Sequence, residues 1–211
     1  MKLYTYFRSS AAYRVRIAMH LKGLTYTPEF VHLAKGRHDE AEYAAINPSR
    51  LVPSLVVDGN VLSQSLAIME YLDETYAAVP LLPSGAIDRA RVRALALLIA
   101  CDIHPIDNLR VLKYLTGTLK VSDDQKNAWY RHWVEDGLAK FEAMLADGKS
   151  GRFCHGDSPT MADCCLVPQV FNGKRFDCNF GHVPRVMRIF ESCSELAAFQ
   201  KAAPAAQPDA E

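Results

Sequence analysis

Hydrophobic and polar positions change their period partway along the 211-residue chain. The first stretch alternates short apolar runs with helical stripes. Residues 3–7, LYTYF, are aromatic-rich and read as a strand. Ala11, Val15, Ala18 and Met19 then recur at i, i+4, i+7 and i+8, one stripe of a helix, and Gly23 suits its C-terminal stop. Residues 26–33 predict a second strand, and a weak helix covers about 40–45. Ser54–Val57, Asp58-Gly59 and residues 60–62 predict a hairpin, because Asp-Gly supplies a two-residue type I′ turn. Ser65–Thr75 predicts a third helix. The order is βαβαββα.

AAVPLLPSGA, residues 77–86, carries the proline and glycine marks of a linker. Beyond it the period is helical over 87–115, 123–146, 161–173 and 183–202. Pro105 interrupts the first of these, and proline should kink or split a helix there. The last residues, APAAQPDAE, predict a loosely held terminus. The expected architecture is an α/β domain over residues 1–80 followed by an all-α domain over residues 86–211.

Composition narrows the partners. Basic and acidic side chains number 24 each, so bulk charge gives no reason to expect a nucleic acid. The longest apolar run, residues 94–101, is too short to cross a bilayer, and Arg8 interrupts any leader-like start. The six cysteines show neither CxxC nor zinc spacing, and none lies in the first hundred residues, which argues against a disulfide framework. The expectation is a cytoplasmic protein with no membrane, nucleic-acid or metal partner.

Three stretches carry candidate chemistry. FRSSAAYRVRIAM, residues 7–19, puts Arg8, Ser9 and Ser10 at a strand-to-helix junction. Serine there caps the helix, or an anion sits on the free amides at the positive dipole end, and this stretch alone leaves both readings open. NPSRLVPSL places Pro53 just before a strand, where a bent Val52–Pro53 junction would leave the Val52 peptide groups free to pair with an extended ligand. LSQSLAIMEYLDE opens a helix at Gln64 and Ser65, which is a second candidate anion site. Thr160 and Asp163, in GDSPTMADC, read as a capping box with aspartate in the usual glutamate position, a structural feature.

In that order these motifs resemble the zeta class of the cytosolic glutathione transferases. SSAAYRVRIAM stands where that class carries a motif close to S-S-C-x-W-R-V-R-I-A-L. The likeness continues through NPSRLVPSL, QSLAIMEYLDE, GDSPTMADCCLVPQV, Arg175-Phe176 and AFQKAAPAAQPD, which spans essentially the whole chain. It implies a thioredoxin-like N-terminal domain, a helical C-terminal domain and a homodimer. By the same resemblance Ser9 donates to the glutathione sulfur, with Ser10 and the amides from Ala11 behind it. Val52, beside Pro53, pairs with the cysteinyl backbone; Gln64 and Ser65 hold the γ-glutamyl carboxylate; His38 reaches the glycyl end.

The family motif's cysteine is Ala11 here, so a mechanism that needs a protein thiol at that position is excluded and glutathione must bring the sulfur. From the helical half the resemblance adds Asp102, toward a neighbouring subunit's glutathione, while His104 and Asn108, four residues apart on one helix face, are further candidates for the glutathione site. Arg8, Arg110 and Arg175 are implied to grip substrate carboxylates, since a guanidinium fork matches them in geometry and charge. The implied activity is glutathione-dependent cis–trans isomerisation of a maleyl diacid. Maleylacetoacetate, in tyrosine and phenylalanine breakdown, is the first choice and maleylpyruvate, in the gentisate pathway, the second. General glutathione transfer and a non-catalytic glutathione-binding module are the remaining alternatives.

Overall fold

A computed structural model describes all 211 residues, which divide into two compact units. The first comprises Met1–Leu81 together with Ser194–Glu211, and the second is Leu82–Cys193. The last segment therefore packs with the α/β unit, although the sequence reads as placing it with the helical domain.

In the first unit the chain runs β1 (Lys2–Thr5), α1 (Ser10–Leu21), β2 (Thr27–Phe30), α2 (Ala41–Ile46), β3 (Ser54–Val57), β4 (Asn60–Ser63) and α3 (Ser65–Thr75). The sheet order is β2-β1-β3-β4, with β1 parallel to β2 and antiparallel to β3, and β3 antiparallel to β4. Asp58 and Gly59 both take positive φ, 49° and 81°, as the two-residue hairpin turn demands. The predicted βαβαββα order stands, with β1 and β2 shorter at their ends than their apolar runs. Leu3, Val15, Met19, Leu55, Ile68 and Leu72 fill the core between sheet and helices. A second cluster of Tyr6, Phe7, Val31, Tyr43 and Val52 lies around the exit of β1.

The terminus is held, contrary to the sequence expectation. After α8 (Pro184–Ser194), α9 (Ala197–Ala202) packs on α1, and a 3-10 turn covers Pro204–Ala206. Asp209 Oδ2 accepts the Phe7 amide at 3.0 Å, and Glu211 meets Lys35 and His32. Composition suggested looseness, but these contacts reach back to the start of the chain and no local pattern announces them.

The second unit is helical: α4 (Ala86–Leu97), α5 (Leu109–Gly117), α6 (Asp123–Met144) and α7 (Met161–Arg175), with most of α8. Residues 87–115 do not form one helix. A π-helical segment, Leu98–Ile103, follows α4, then a 3-10 turn carries Pro105 over His104–Asp107. Pro105 lacks the N–H that a continuing helix would need, so the split falls where it should. Gly137 lets α6 come up to this segment: a Cβ there would lie 2.4 Å from Ile103 Cγ1. Ser122 and Gln125 form a capping box at the start of α6. Asp163, fully buried, receives the Thr160 amide and hydroxyl at 2.7 and 2.8 Å and the Cys154 amide at 2.8 Å, which fixes the start of α7. No helix is long and apolar enough to cross a membrane.

Candidate functional site

The β1–α1 junction is built from opposing demands. Ser9 takes extended backbone, φ −70° and ψ 116°, and its Oγ accepts the Ala12 amide at 3.2 Å as a helix N-cap. Capping uses only a lone pair of that oxygen, so the hydroxyl proton remains available to a ligand. The two readings of the serine pair are thus compatible. Ser10 is buried as the first helical residue, and Ala11 beside it carries no thiol. Arg8 is exposed, with its guanidinium over the Phe7 ring at 4.9 Å.

What holds this junction is a residue that its sequence neighbourhood does not advertise. Arg16 is wholly buried and reaches four oxygens. Nη1 donates to Thr5 Oγ1 (2.9 Å) and the Tyr6 carbonyl (3.3 Å), Nη2 to the Phe7 carbonyl (3.0 Å), and Nε to the Ala202 carbonyl (3.0 Å). Burial pulls its pKa down to about 10, still far above neutrality, so the group stays charged. Together with the Asp209 bond to the Phe7 amide, it clamps the two residues before Arg8 and Ser9.

Beside this junction lies the second strand-leading turn. The Val52–Pro53 peptide is cis, and the Val52 N–H and C=O pair with no other backbone group. Asn47 and Tyr43 shape the approach: both reach the Leu51 carbonyl and Ser54 Oγ, at 2.6 to 3.0 Å. Gln64 takes a positive φ of 68° and makes no side-chain cap bond to α3, which leaves the first-turn amides of α3 open. Ser65, the first residue of α3, is buried, and its Oγ accepts Arg14 Nη1 at 3.2 Å. His38 is half-buried; its Nε2 lies 3.5 Å from Asp39 Oδ2, while its Nδ1 is sheltered without a hydrogen-bond partner. Open amides at α3, unpaired Val52 peptide groups and the orphaned His38 nitrogen all fit a peptide-like anionic ligand such as glutathione.

In the helical unit the candidates cluster along the broken helix. Asp102 is exposed on the π-helical segment. His104 opens the 3-10 turn, and its Nε2 lies 3.4 Å from Asn108 Nδ2. Asn108 caps α5, its Oδ1 accepting the Arg110 amide at 3.2 Å. His104 and Asn108 thus meet across the turn that follows Pro105, while Arg110 stands in the first turn of α5 and touches Asn108 through its backbone amide alone. Arg110 and Arg175 are both exposed, and Arg175 Nη1 donates to Asn172 Oδ1 at 3.0 Å.

Sequence reading missed the residue between these candidates. Asp107 is 7% exposed, and neither of its carboxylate oxygens has a hydrogen-bond partner. Burial pushes its carboxyl up to about 8. It neighbours Tyr130 and Cys178, whose ionisations burial and its charge both disfavour. An acidic residue inside a polar-looking turn gives no local hint of being buried. No three His, Cys, Asp or Glu side chains gather as a metal ion would require.

Comparison with known proteins agrees with this geometry. Residues 8–75 match the family model of the glutathione S-transferase N-terminal domain, and residues 127–172 match that of the C-terminal domain. A probable maleylacetoacetate isomerase of Vibrio cholerae is 50% identical over 99% of this chain and 97% of its own. A solved holo structure of a maleyl pyruvate isomerase, described as a bacterial zeta-class glutathione S-transferase, superposes with a TM-score of 0.98 at 47% identity, covering all of both chains. A maleylacetoacetate isomerase of Methylobacterium extorquens AM1, solved with bound malonate and glutathione, gives a TM-score of 0.96 at 39% identity, again over all of both chains. By fold, by motif and by near-full-length identity, the chain belongs to the glutathione S-transferase family, in its zeta class.

Proposed function

We propose that the protein is a glutathione-dependent cis–trans isomerase of maleyl diacids, with maleylacetoacetate converted to fumarylacetoacetate in tyrosine and phenylalanine breakdown. The observation that carries this reading is the Ser9 hydroxyl at the N-cap of α1, which has a proton to donate, next to a position where alanine replaces any protein thiol. When bound, glutathione supplies the thiolate that adds to the cis double bond and leaves after rotation. Ser9 and the first-turn amides of α1 favour the ionised thiol, because a donor and a helix N-terminus both stabilise negative charge. Val52 holds the peptide portion, Gln64 and Ser65 the γ-glutamyl carboxylate, and His38 the glycyl end. Arg8, Arg110 and Arg175 bind the two carboxylates of the substrate. Their permanent positive charge also favours the negative charge that spreads toward a substrate carbonyl as the reaction proceeds.

Exposed apolar side chains, among them Val61, Ile87 and Leu97, support a homodimer, in which Asp102 reaches the neighbouring subunit's glutathione. Six cysteines with no disulfide among them suit a cytoplasmic setting. Maleylpyruvate is the second reading, favoured by the near-identical backbone of the maleyl pyruvate isomerase. The two substrates are to be compared on one enzyme preparation. Turnover of either should disappear when glutathione is removed and return when it is restored, with glutathione recovered unchanged. A kcat/KM preference for maleylpyruvate above about tenfold, equal to ~1.4 kcal/mol, would reverse the substrate order. Isomerisation at full rate without glutathione would refute the mechanism.

A further inference from the structure

We propose that Asp209, close to the C-terminus, is a positioning residue for the reaction: it sets the turn that delivers Arg8 and Ser9. The inference rests on the reading of Ser9 as the thiol-activating hydroxyl, and all its parts lie within the first unit.

Between β1 and α1 the chain bends through a four-residue turn, closed by the Ser9 amide donating to the Tyr6 carbonyl at 3.0 Å. Phe7 and Arg8 are its corner residues, and Ser9 is its last. Polar groups at this corner are taken up from outside the turn. Arg16 donates to the Tyr6 and Phe7 carbonyls at 3.3 and 3.0 Å. The Phe7 amide donates to Asp209 Oδ2 at 3.0 Å, from 202 residues away in sequence. The Tyr6–Phe7 peptide is therefore held on both its carbonyl and its N–H. Since a peptide unit is planar, those two bonds fix the direction in which the chain leaves toward Arg8 and Ser9.

Asp209 is itself the corner of a turn. Residues 207–210, QPDA, close with the Ala210 amide donating to the Gln207 carbonyl at 3.1 Å, and Pro208 suits the first corner position. The tail has other means of staying in place. Phe199, Ala202 and Pro204 are buried, α9 packs on α1, and Gln207 Nε2 donates to the Lys201 and Ala203 carbonyls at 2.8 and 3.0 Å. As a plain anchor the carboxylate is a poor choice, because its Oδ1 is sheltered without a hydrogen-bond partner. An apolar side chain would hold the tail without that penalty, but it could not accept the Phe7 amide. Burial lowers the Arg16 pKa, and the Asp209 charge is among the groups that oppose this, so charge and position have to be told apart.

Three full-length variants do so: Asp209→Ala, Asp209→Glu and Asp209→Asn. The bound thiol is titrated spectrophotometrically, glutathione affinity is read by calorimetry, and kcat and melting midpoint are measured beside them. Asp209→Ala should raise the pKa of the bound thiol by roughly half a unit. It should also lower kcat roughly threefold to tenfold, short of the ~hundredfold that a 1 Å misplacement can cost. Glutathione affinity should stay within about twofold of wild type, since Val52, Gln64 and Ser65 lie outside this turn. Asp209→Glu keeps the charge but displaces the acceptor, and it should show the same two losses. Asp209→Asn keeps an oxygen for the Phe7 amide and should recover most of both. Should Asp209→Ala not fold, the glutamate variant decides by the same readouts. A lower melting midpoint with thiol pKa and kcat unchanged makes Asp209 a tail anchor only and overturns the proposal. Loss in Asp209→Asn with none in Asp209→Glu assigns the effect to charge and overturns it as well. Either result leaves the Ser9 reading standing. A wild type that fails to lower the thiol pKa below that of free glutathione removes the Ser9 reading, and the inference with it.

Discussion

Arg16 in the first unit and Asp107 in the helical unit are both charged residues taken out of water, and their surroundings differ completely. Arg16 spends its donors on four oxygens drawn from β1, the turn after it and α9. Asp107 has no hydrogen-bond partner on either oxygen. The first arrangement keeps a charge and uses it to fix backbone carbonyls; the second is tolerable because a carboxyl, unlike a guanidinium, can escape its penalty by holding a proton. Each lies next to candidate site residues, Arg16 behind Arg8 and Ser9, Asp107 between His104 and Asn108. The comparison teaches that the β1–α1 junction is rigidly built, whereas the turn in the helical unit carries a removable stability penalty.

Removing the first of these should have the largest effect. Arg16→Met leaves four oxygens without their donor and should cost about 3–5 kcal/mol, comparable to breaking a buried ion pair. In a chain of this size that is a fall in melting midpoint of roughly 6–20 °C. A midpoint within a degree or two of wild type, read by calorimetry, would show that the clamp is redundant.

Ser9→Ala acts at the junction without touching the clamp. It should slow turnover roughly ten- to hundredfold, the worth of a hydrogen bond to a charged group at roughly 1.5–3 kcal/mol, and raise the pKa of bound thiol. Glutathione affinity should stay near that of wild type. Spectrophotometric titration of the bound thiol checks the point: an unchanged pKa would transfer the activation to the helix amides.

Asp107→Asn should give the smallest change, a gain in stability of about 1–2 kcal/mol near pH 8. The sign follows from linkage. The folded carboxyl is raised to about 8 from 3.8, so the folded state holds its proton longer than the unfolded chain. At pH below 4 both states are protonated and aspartate carries no penalty. Between pH 4 and 8 the unfolded chain ionises first, and wild-type stability falls relative to the variant. Above 8 both are ionised and the gap stays constant. Denaturant melts of both proteins at pH 4, 6 and 8 would reveal the trend, and parallel curves across that range would contradict it.

These predictions also mark what the sequence disclosed. The hairpin was legible because Asp58-Gly59 is a local signal with one geometric meaning. The split of the fourth helix was legible because Pro105 cannot continue an α-helix, but the π-helical Leu98–Ile103 was not, since its residues are ordinary helix formers. Ser9, Val52, Gln64 and Ser65 stood out through motif resemblance, and the structure places them at the N-cap of α1, the cis-proline turn and the start of α3. Arg14 and Arg16 escaped notice for a physical reason. They sit two residues apart on α1, which is buried nearly all round, so an amphipathic reading of the helix turns at least one of them toward water. Their partners lie far away along the chain, Ser65 for one and Ala202 for the other. The same distance hid the role of Asp209.

That closing segment has a consequence for how the molecule comes into being. The first unit is discontinuous: Met1–Leu81 is completed by Ser194–Glu211, and all of Leu82–Cys193 is made in between. At roughly 5–20 residues per second several seconds separate the two halves on the ribosome. Until α9 and Asp209 emerge, Arg16 lacks the Ala202 carbonyl and Phe7 lacks its acceptor. The nascent α/β unit therefore waits, with its serine junction only partly fastened, while the helical unit is synthesised and free to fold ahead of it.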